Sequence, residues 1–204
     1  TELRLEDSIG LPGYPFLRYV ADLSIFSNGQ VLFDFTVENT LNVAGARAVV
    51  YDVDIQWPGG RFVRQGVNHG YMARWRKRIP LFGLQEAQIR PDIEPMIAAG
   101  AVPRFSPTVV NGTAVPEGPR FDILGRGDLF PNMPASGGRP EIAPLPEWIG
   151  MYLAHAQNPV QPSTLWPYVA AHGDLAGSWP VHLREVDGTL VSIDRRPNFW
   201  LDPR

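Results

Sequence analysis

The densest group of charged residues in the sequence combines arginine with an aromatic ring. Residues 74–78 read Arg-Trp-Arg-Lys-Arg. Because alternate side chains of a β-strand point to opposite faces, a strand here would place Arg74, Arg76 and Arg78 on one face as a ladder. Guanidinium groups bind carboxylates through paired hydrogen bonds. The pattern predicts a surface for an anionic chain, with Arg74, Arg76 and Trp75 binding substrate. The alternative is a solvated edge strand whose charges prevent aggregation.

A second group of polar residues lies towards the C-terminus. Its members are His172, Asp174, Trp179, His182, Arg184, Glu185 and Asp187. Histidines and carboxylates together could supply a general base, a general acid and a group that neutralises a substrate carboxylate. The alternative is a histidine at a helix end, followed by an ordinary hairpin with exposed charges. A His-x-Asp pair with a distant histidine is weak spacing for metal ligands, so no metal and no cofactor is expected.

The composition of the chain limits the kinds of molecule that it is expected to bind and the kinds of site that it can form. The chain has 204 residues, a formal net charge of −3 and no cysteine. This charge gives no overall attraction to nucleic acid, so nucleic acid is not an expected partner and any anion site must be local. Without cysteine there is no disulfide, thiolate metal site or cysteine nucleophile. No apolar run approaches the roughly 18 residues of a membrane-spanning helix, so no membrane span is expected.

The clearest structural pattern is a β-hairpin across residues 16–39. Two runs suited to strands flank the turn Ser27-Asn28-Gly29. A three-residue loop with Gly29 in the left-handed conformation separates apolar from polar side chains better than a two-residue Asn-Gly turn does. On the apolar face that register pairs Ile25 with Val31, Leu23 with Phe33, Ala21 with Phe35 and Tyr19 with Val37. On the polar face it pairs Asp22 with Asp34.

Alternation and short turns extend the β-structure through the first half of the chain. Further strands are predicted at Ala46–Trp57, Arg61–Val67 and Tyr71–Leu81, after a turn-rich leading loop over residues 1–17. Residues 1–90 are therefore expected to form an antiparallel sandwich or barrel.

The second half is expected to be less regular. Residues 91–145 are a predicted Pro/Gly-rich connector with one short helix at Asp92–Ala99, capped by Asp92 and ended by Gly100. Residues 146–204 are predicted to form a small α+β tail. It holds helices at Pro146–Ala156 and Ser163–His172, the second ended by Gly173, and a hairpin over Val181–Ile193 that turns at Asp187-Gly188. The predicted fold class is mainly β, followed by this crossing and tail.

Four segments taken together resemble a known kind of protein. They are residues 69–77, 100–103, 137–148 and 174–184, and the most specific is the run Gly-Gly-Arg-Pro-Glu-Ile at 137–142. In this order they resemble segments of large, mostly uncharacterised bacterial proteins. Those proteins look like polysaccharide lyases of the rhamnogalacturonan-exolyase type, with a β-domain followed by an (α/α) toroid. The resemblance implies a fragment of such a protein, or a β-part kept as a binding or assembly module.

The leading functional hypothesis is an extracytoplasmic protein, extracellular or periplasmic, that binds an acidic polysaccharide or oligosaccharide. The chain begins at Thr1, as expected if a signal peptide has been removed or the chain is part of a longer one. The resemblance implies β-elimination as the reaction. Arg74 or Arg76 would neutralise the uronate carboxylate, which lowers the cost of the carbanion, and His172 or His182 would take the C5 proton.

Three further residues complete the predicted site, in which the arginines and histidines converge on one groove. Tyr71 is the candidate acid, and Arg184 and Trp179 are candidate substrate-binding residues. The alternative function is a structural subunit of an extracellular filament or virion. Its proline-rich segment would wrap a neighbouring subunit and its edge strands would pair between chains by self-assembly.

Overall fold

The protein is mainly β and divides into two compact units. The computed structural model describes residues 2–7, 13–84, 89–104, 119–129, 145–156, 162–176 and 182–199. The first unit comprises Thr1–Leu84 with Gly177–Arg204, and the second comprises Gln85–Ala176. This division differs from the predicted boundaries at residues 90 and 145, because the C-terminal segment belongs with the β-structure rather than with the helices before it.

Six strands form two antiparallel sheets in the first unit. They are β1 (Glu2–Asp7), β2 (Arg18–Ile25), β3 (Val31–Asn39), β4 (Val49–Trp57), β5 (Gly60–His69) and β6 (Ala73–Leu81). One sheet has the order β1-β2-β3-β6, and β4 pairs with β5 in the other. The leading loop predicted for residues 1–17 was wrong at its start, because β1 pairs along β2. The alternating sequence Glu-Leu-Arg-Leu-Glu-Asp carries that strand signal, which the turn residues after it obscured.

The predicted hairpin register is confirmed. β2 and β3 pair Ile25 with Val31, Leu23 with Phe33 and Tyr19 with Val37. Gly29 has a φ of 81°, the left-handed conformation that the three-residue loop requires. The turn is closed by the amide of Phe26, which donates to the carbonyl of Gln30 over 3.0 Å.

Strand β6, at the edge of the four-stranded sheet, contacts the second sheet through its side chains. It pairs with β3 along its length, and its side chains Trp75 and Ile79 are buried. The rings of Trp75 and Phe35 lie 5.7 Å apart between centroids, and the Trp75 indole reaches Tyr51 on β4. The strand begins at Ala73 and not at the predicted Tyr71, because Met72 has a φ of 65° and forms a turn instead.

The C-terminal segment forms the predicted hairpin over its described residues. Arg184 and Leu190 bridge antiparallel, and Gly188 takes a φ of 80° at the turn. Arg184 also bridges Leu41, just beyond the end of β3. The hairpin is therefore attached to the end of β3 although the two are distant in sequence.

The second unit is helical. It contains α1 (Ile93–Ala98), a 3₁₀ turn at Pro119–Phe121, α2 (Glu147–Ala156) and α3 (Pro162–Ala176). Gly100 ends α1 with a φ of 68°, as predicted, whereas the Asp92 side chain makes no capping hydrogen bond. The predicted stop at Gly173 was wrong. α3 continues to Ala176, and buried Leu175 and His172 on this last part contact Gly127, so tertiary packing favours the longer helix.

Candidate functional site

The polar face of the four-stranded sheet carries a row of three charged residues. Glu38 on β3 lies directly opposite Arg18 on β2 and directly opposite Arg74 on β6. These three residues share a face because side chains directly opposite each other on neighbouring strands point to the same side of the sheet. The predicted ladder face of β6 is thus positioned by β3, and a carboxylate lies in the middle of the row.

The carboxylate of Glu38 is buried under arginine side chains. Its side chain is only 2% exposed. The Nε of Arg184 donates to Oε2 over 2.8 Å, the Nη1 of Arg18 lies 3.7 Å from the same oxygen, and the Nε of Arg74 lies 3.8 Å from Oε1. Three guanidinium groups therefore surround one carboxylate at this point of the sheet.

Arg184 is fixed in the cluster by its backbone as well as by its side chain. Its amide donates to the carbonyl of Thr40 over 2.9 Å, and its carbonyl accepts from the amide of Asn42 over 2.7 Å. Its Nη1 donates to the carbonyl of Gly188 over 3.1 Å within the hairpin. The guanidinium is therefore held in a fixed orientation, as a binding site for a planar anion requires.

The neighbouring charges of this cluster affect the pKa of Arg74. Burial lowers the pKa of Arg74. The carboxylates of Glu38 and Asp34 oppose that shift, and the guanidinium groups of Arg184 and Arg76 add to it by repulsion. Its Nε is buried and has no hydrogen-bond partner among the described residues. Because a guanidinium stays protonated in proteins, the cluster keeps its charge and would be stabilised by a second anion.

An open groove lies beside the cluster. Its volume is about 720 Å³, and both Arg18 and Arg184 line it. Asp187 and Thr189 of the hairpin turn form part of its polar wall, and Leu41 is part of its apolar wall. The side chains of Arg18 and Arg184 are 10% and 17% exposed, so they are largely desolvated but still open to a ligand on one side. Partial burial strengthens the attraction between a guanidinium and an anion.

The remaining arginine ladder is partly neutralised within the sheet. Arg76 holds Asp34 through both its Nε and its Nη2, and the Nε–Oδ1 distance is 2.8 Å. Arg78 lies directly opposite Asp34 in the strand register. Arg76, which was predicted to bind substrate, therefore already binds a carboxylate of the protein itself.

The opposite face of β6 holds a buried chain of neutral hydrogen bonds. Trp75 is 0% exposed, and its Nε1 donates to the Oη of Tyr51 over 2.6 Å. The Oη of Tyr51 lies 2.8 Å from Nδ1 of His69, and Nε2 of His69 lies 2.8 Å from the carbonyl of Ala73. A carbonyl only accepts, so Nε2 carries the proton and Nδ1 accepts from Tyr51. The prediction that Trp75 stacks on a ligand is corrected, since burial leaves no ring face open.

Both titratable members of this chain are held neutral. Burial lowers the pKa of His69 and raises the pKa of Tyr51 to about 12. Asn39 completes the junction, since its Nδ2 donates to the carbonyls of Arg47, His69 and Gly70. The hydrogen bonds join β3, β4, β5 and β6, so this face has a structural role.

His172, the first predicted base, lies in the second unit and is 4% exposed. Its Nδ1 lies 2.9 Å from the carbonyl of Tyr168, and its Nε2 accepts from the amide of Asp128 over 3.2 Å. Its ring stacks on Trp148 with centroids 4.1 Å apart. Both ring nitrogens are therefore occupied within the unit, and no lone pair is directed towards a substrate.

The other predicted catalytic residues lie at separate places. His182 lines a different groove of about 380 Å³ on the C-terminal segment, together with Leu190 and Ile193. Tyr71 is half-buried in the turn before β6. Trp179, residues 137–142 and the predicted connector between residues 130 and 144 lie outside the described residues. The structure therefore groups Arg18, Arg74 and Arg184, and gives His182 a different groove from the one that Arg18 and Arg184 line.

Arg18 and Glu38 are site residues that the sequence patterns did not single out. The predicted register paired Tyr19 with Val37, and the next pair outward is Arg18 with Glu38. Extending the register by one pair would have found both of them on the polar face. Their meeting with Arg74 requires the pairing of β3 with β6, a long-range contact that alternation within each strand does not specify.

Two negative findings apply to the described part of the chain. No group of three or more His, Asp or Glu side chains is arranged there to hold a metal ion. No helix there combines the length and the apolar character needed to cross a membrane.

No family model matches the chain, and the searches of curated proteins and of solved structures found no match. The function is therefore inferred from the geometry of the site.

Proposed function

We propose that the protein is an extracytoplasmic, carbohydrate-associated protein whose first unit binds acidic glycans in the groove beside Arg18 and Arg184. The observation that carries this proposal is the arrangement around Glu38, where one buried carboxylate faces three guanidinium groups. Two of those guanidinium groups line the open groove. A carboxylate on the ligand would add a second negative group to a site where three guanidinium groups share one carboxylate.

The walls of the groove suit a sugar that bears such a carboxylate. Leu41 and Val43 offer apolar surface for the C–H groups of a sugar ring, and Asp187 and Thr189 offer acceptors for its hydroxyl groups. Asp187 holds its own turn through the amide and hydroxyl of Thr189, so its carboxylate is positioned before any ligand arrives. Such preorganisation reduces the entropy lost on binding.

The resemblance to polysaccharide lyases adds a catalytic form of this proposal. In β-elimination, a guanidinium that neutralises the uronate carboxylate makes the C5 proton easier to remove. In the groove, Arg184 would neutralise the uronate carboxylate. Among the described histidines of the first unit, His69 is enclosed and His182 is half-buried, so His182 is the candidate base. Because the C5 proton and the neutralised carboxylate belong to the same sugar residue, this form requires His182 and Arg184 to act on one ring, although they line different grooves.

The test compares an oligogalacturonide with its fully methyl-esterified form in isothermal titration calorimetry. The acidic form should bind, and Arg18→Gln should weaken its binding about 10- to 100-fold, because a charge-assisted hydrogen bond contributes roughly 1.5–3 kcal/mol. Arg18→Gln is preferred to an Arg184 variant because it leaves the Arg184–Glu38 contact in place.

The matched control is Arg61→Gln. Arg61 also holds a carboxylate, that of Asp54, but it lies on the two-stranded sheet and its side chain is 58% exposed. Its loss should leave binding unchanged. Equal binding of the esterified chain, or no binding of the acidic one, would refute the glycan site. In the same samples, unsaturated products that absorb ultraviolet light would support the lyase form, and their absence would reject it.

Assembly is the second candidate function, and the strand edges favour it. In the described chain β5 pairs with β4 on one side only, and Val50 and Val63 are exposed on this sheet. Unpaired edges of this kind can pair between copies. Size-exclusion chromatography with light scattering distinguishes the two candidates, since a monomer across a range of concentrations would reject assembly. The predicted wrapping segment, residues 101–146, is mostly outside the described residues.

A further inference from the structure

His172 in the second unit connects α3 to the loop at residues 122–129 through a directional hydrogen bond. Its Nδ1 lies 2.9 Å from the carbonyl of Tyr168, which can only accept, so Nδ1 carries the proton. The other ring nitrogen, Nε2, is then a lone pair, and the amide of Asp128 donates to it over 3.2 Å. The loop is therefore held by an acceptor that exists only while the imidazole is neutral.

The ring is enclosed so that it cannot turn away from the loop. Gly127 lies against its edge with a φ of 57°, and a Cβ at that position would stand 2.9 Å from Cδ2 of His172. Trp148 stacks on one face of the ring with an interplanar angle of 7°. Phe121 and Tyr168 meet the ring edge-on at 5.0 and 4.6 Å. A change in the charge of His172 must therefore be accommodated by the loop.

The charged groups around the ring determine how the loop responds when His172 is protonated. Asp128 from the loop places Oδ2 at 3.4 Å from Nε2, and that oxygen already accepts from the hydroxyl of Tyr168. Arg120 from the 3₁₀ turn holds the other oxygen, Oδ1, at 2.6 Å. From α2, Glu147 acts on Tyr168. A proton on Nε2 would face the amide proton of Asp128 and break that hydrogen bond, while Oδ2 of the same residue, 3.4 Å away, is close enough to accept the new proton.

We propose that His172 is a proton-operated clasp, which holds the loop at residues 122–129 against α3 while it is neutral and releases the amide of Asp128 when it takes up a proton. Burial, opposed by Asp128, lowers the pKa of His172. The clasp therefore stays closed at neutral pH and opens only in acid, below the ordinary pKa of about 6.5. It does not depend on the proposed glycan site, because all its parts belong to the second unit.

His155 provides a matched comparison in the same unit. It is also buried on a helix, and its Nδ1 lies 3.1 Å from the carbonyl of Met151, four residues before it, just as His172 is bonded to Tyr168. No described loop residue donates to its other nitrogen. Protonation of His155 should therefore leave the loop unchanged, and a loop response must originate from His172.

The test follows the full chain by NMR from pH 8 to pH 4.5, and records the His172 ring signals with the amides of Gly127 and Asp128. We expect the amide signals to change with the same midpoint as the ring. After correction for intrinsic exchange, the exchange rate of the Asp128 amide should rise about tenfold for each unit by which the pH falls above that midpoint, and level off below it, because one proton drives the opening. Amides of β3 should stay native throughout.

Two variants identify the source of the response. His172→Phe keeps an aromatic ring in the enclosure and should abolish the pH response of the loop, whereas His155→Phe should retain it. If His172→Phe does not fold, the wild-type titration decides alone. An Asp128 amide that is unchanged while His172 titrates, a His172 that does not titrate before the chain unfolds, or a loop response that survives in His172→Phe would each overturn the clasp.

Discussion

The two faces of β6 use burial in opposite ways. On one face, Trp75 lies at the start of a chain of neutral groups in which every hydrogen bond is made. On the other face, Arg74 lies beside a buried carboxylate that two further guanidinium groups share. The first face gains stability because the polar groups of this chain are paired and uncharged. The second brings several guanidinium groups together next to a groove, which costs stability and favours an anionic ligand.

This contrast separates two roles within five consecutive residues. A strand that alternates arginine with apolar or aromatic residues must turn one set inward, so proximity in sequence does not mean a shared site. Trp75 supports the sheet junction, and Arg74 belongs to the charged cluster. Mutations on the two faces should therefore have different consequences, for stability on one and for ligand response on the other.

The largest expected effect on stability is at Trp75. Trp75→Ala should lower the free energy of unfolding by about 3–5 kcal/mol, because it leaves a large cavity and removes the donor to Tyr51. Chemical denaturation followed by circular dichroism measures this. Trp57→Ala, at a half-buried tryptophan at the end of β4, is the control and should cost clearly less. A similar loss in both variants would contradict the distinction between the faces.

A somewhat smaller effect is expected at Glu38. Glu38→Gln removes a carboxylate that three guanidinium groups share, and should destabilise the protein by about 3 kcal/mol. Added sulfate should recover part of that loss, since an anion can replace the missing charge. Asp34→Asn should cost only about 1 kcal/mol, because Asp34 and Arg76 are more exposed. Thermal unfolding with and without sulfate measures both, and a Glu38→Gln loss that salt does not reduce would count against excess positive charge.

The smallest effect is the pH dependence of the neutral face. Because burial lowers the pKa of His69, the unfolded chain binds a proton before the folded one as the pH falls. Its contribution is fully present above about pH 6.5 and should be lost below it, at up to about 1.4 kcal/mol per pH unit. Urea unfolding at a series of pH values measures this slope in His172→Phe, which removes the other buried histidine with a lowered pKa. A flat profile there would show that His69 is not held neutral.

Local patterns predicted much of the β-structure. The register of β2 with β3 followed from the turn and the separation of apolar from polar side chains, and the Gly29 conformation followed with it. The arginine ladder on β6 was also predicted correctly as a face, because it depends only on the period of a strand. These features are fixed by residues close together in sequence.

The composition of the site could not be predicted in the same way. Glu38 and Arg184 are 146 residues apart, and nothing in either local pattern indicates that they meet. The burial of Trp75 depends on the second sheet, which places Tyr51 opposite its indole. The length of α3 depends on the loop that packs on His172 and Leu175. In each case a tertiary contact, rather than the local sequence pattern, determines the structure.

The attachment of Arg184 to the end of β3 has a consequence for biosynthesis. Residues 177–204 complete the first unit, so the whole second unit is an insertion within its chain. A ribosome that has released residues 1–176 has made every strand of the sheets, but it has not yet made the guanidinium that donates directly to Glu38. The helical unit can finish folding first, and the β-unit reaches its final form only when residues 177–204 emerge.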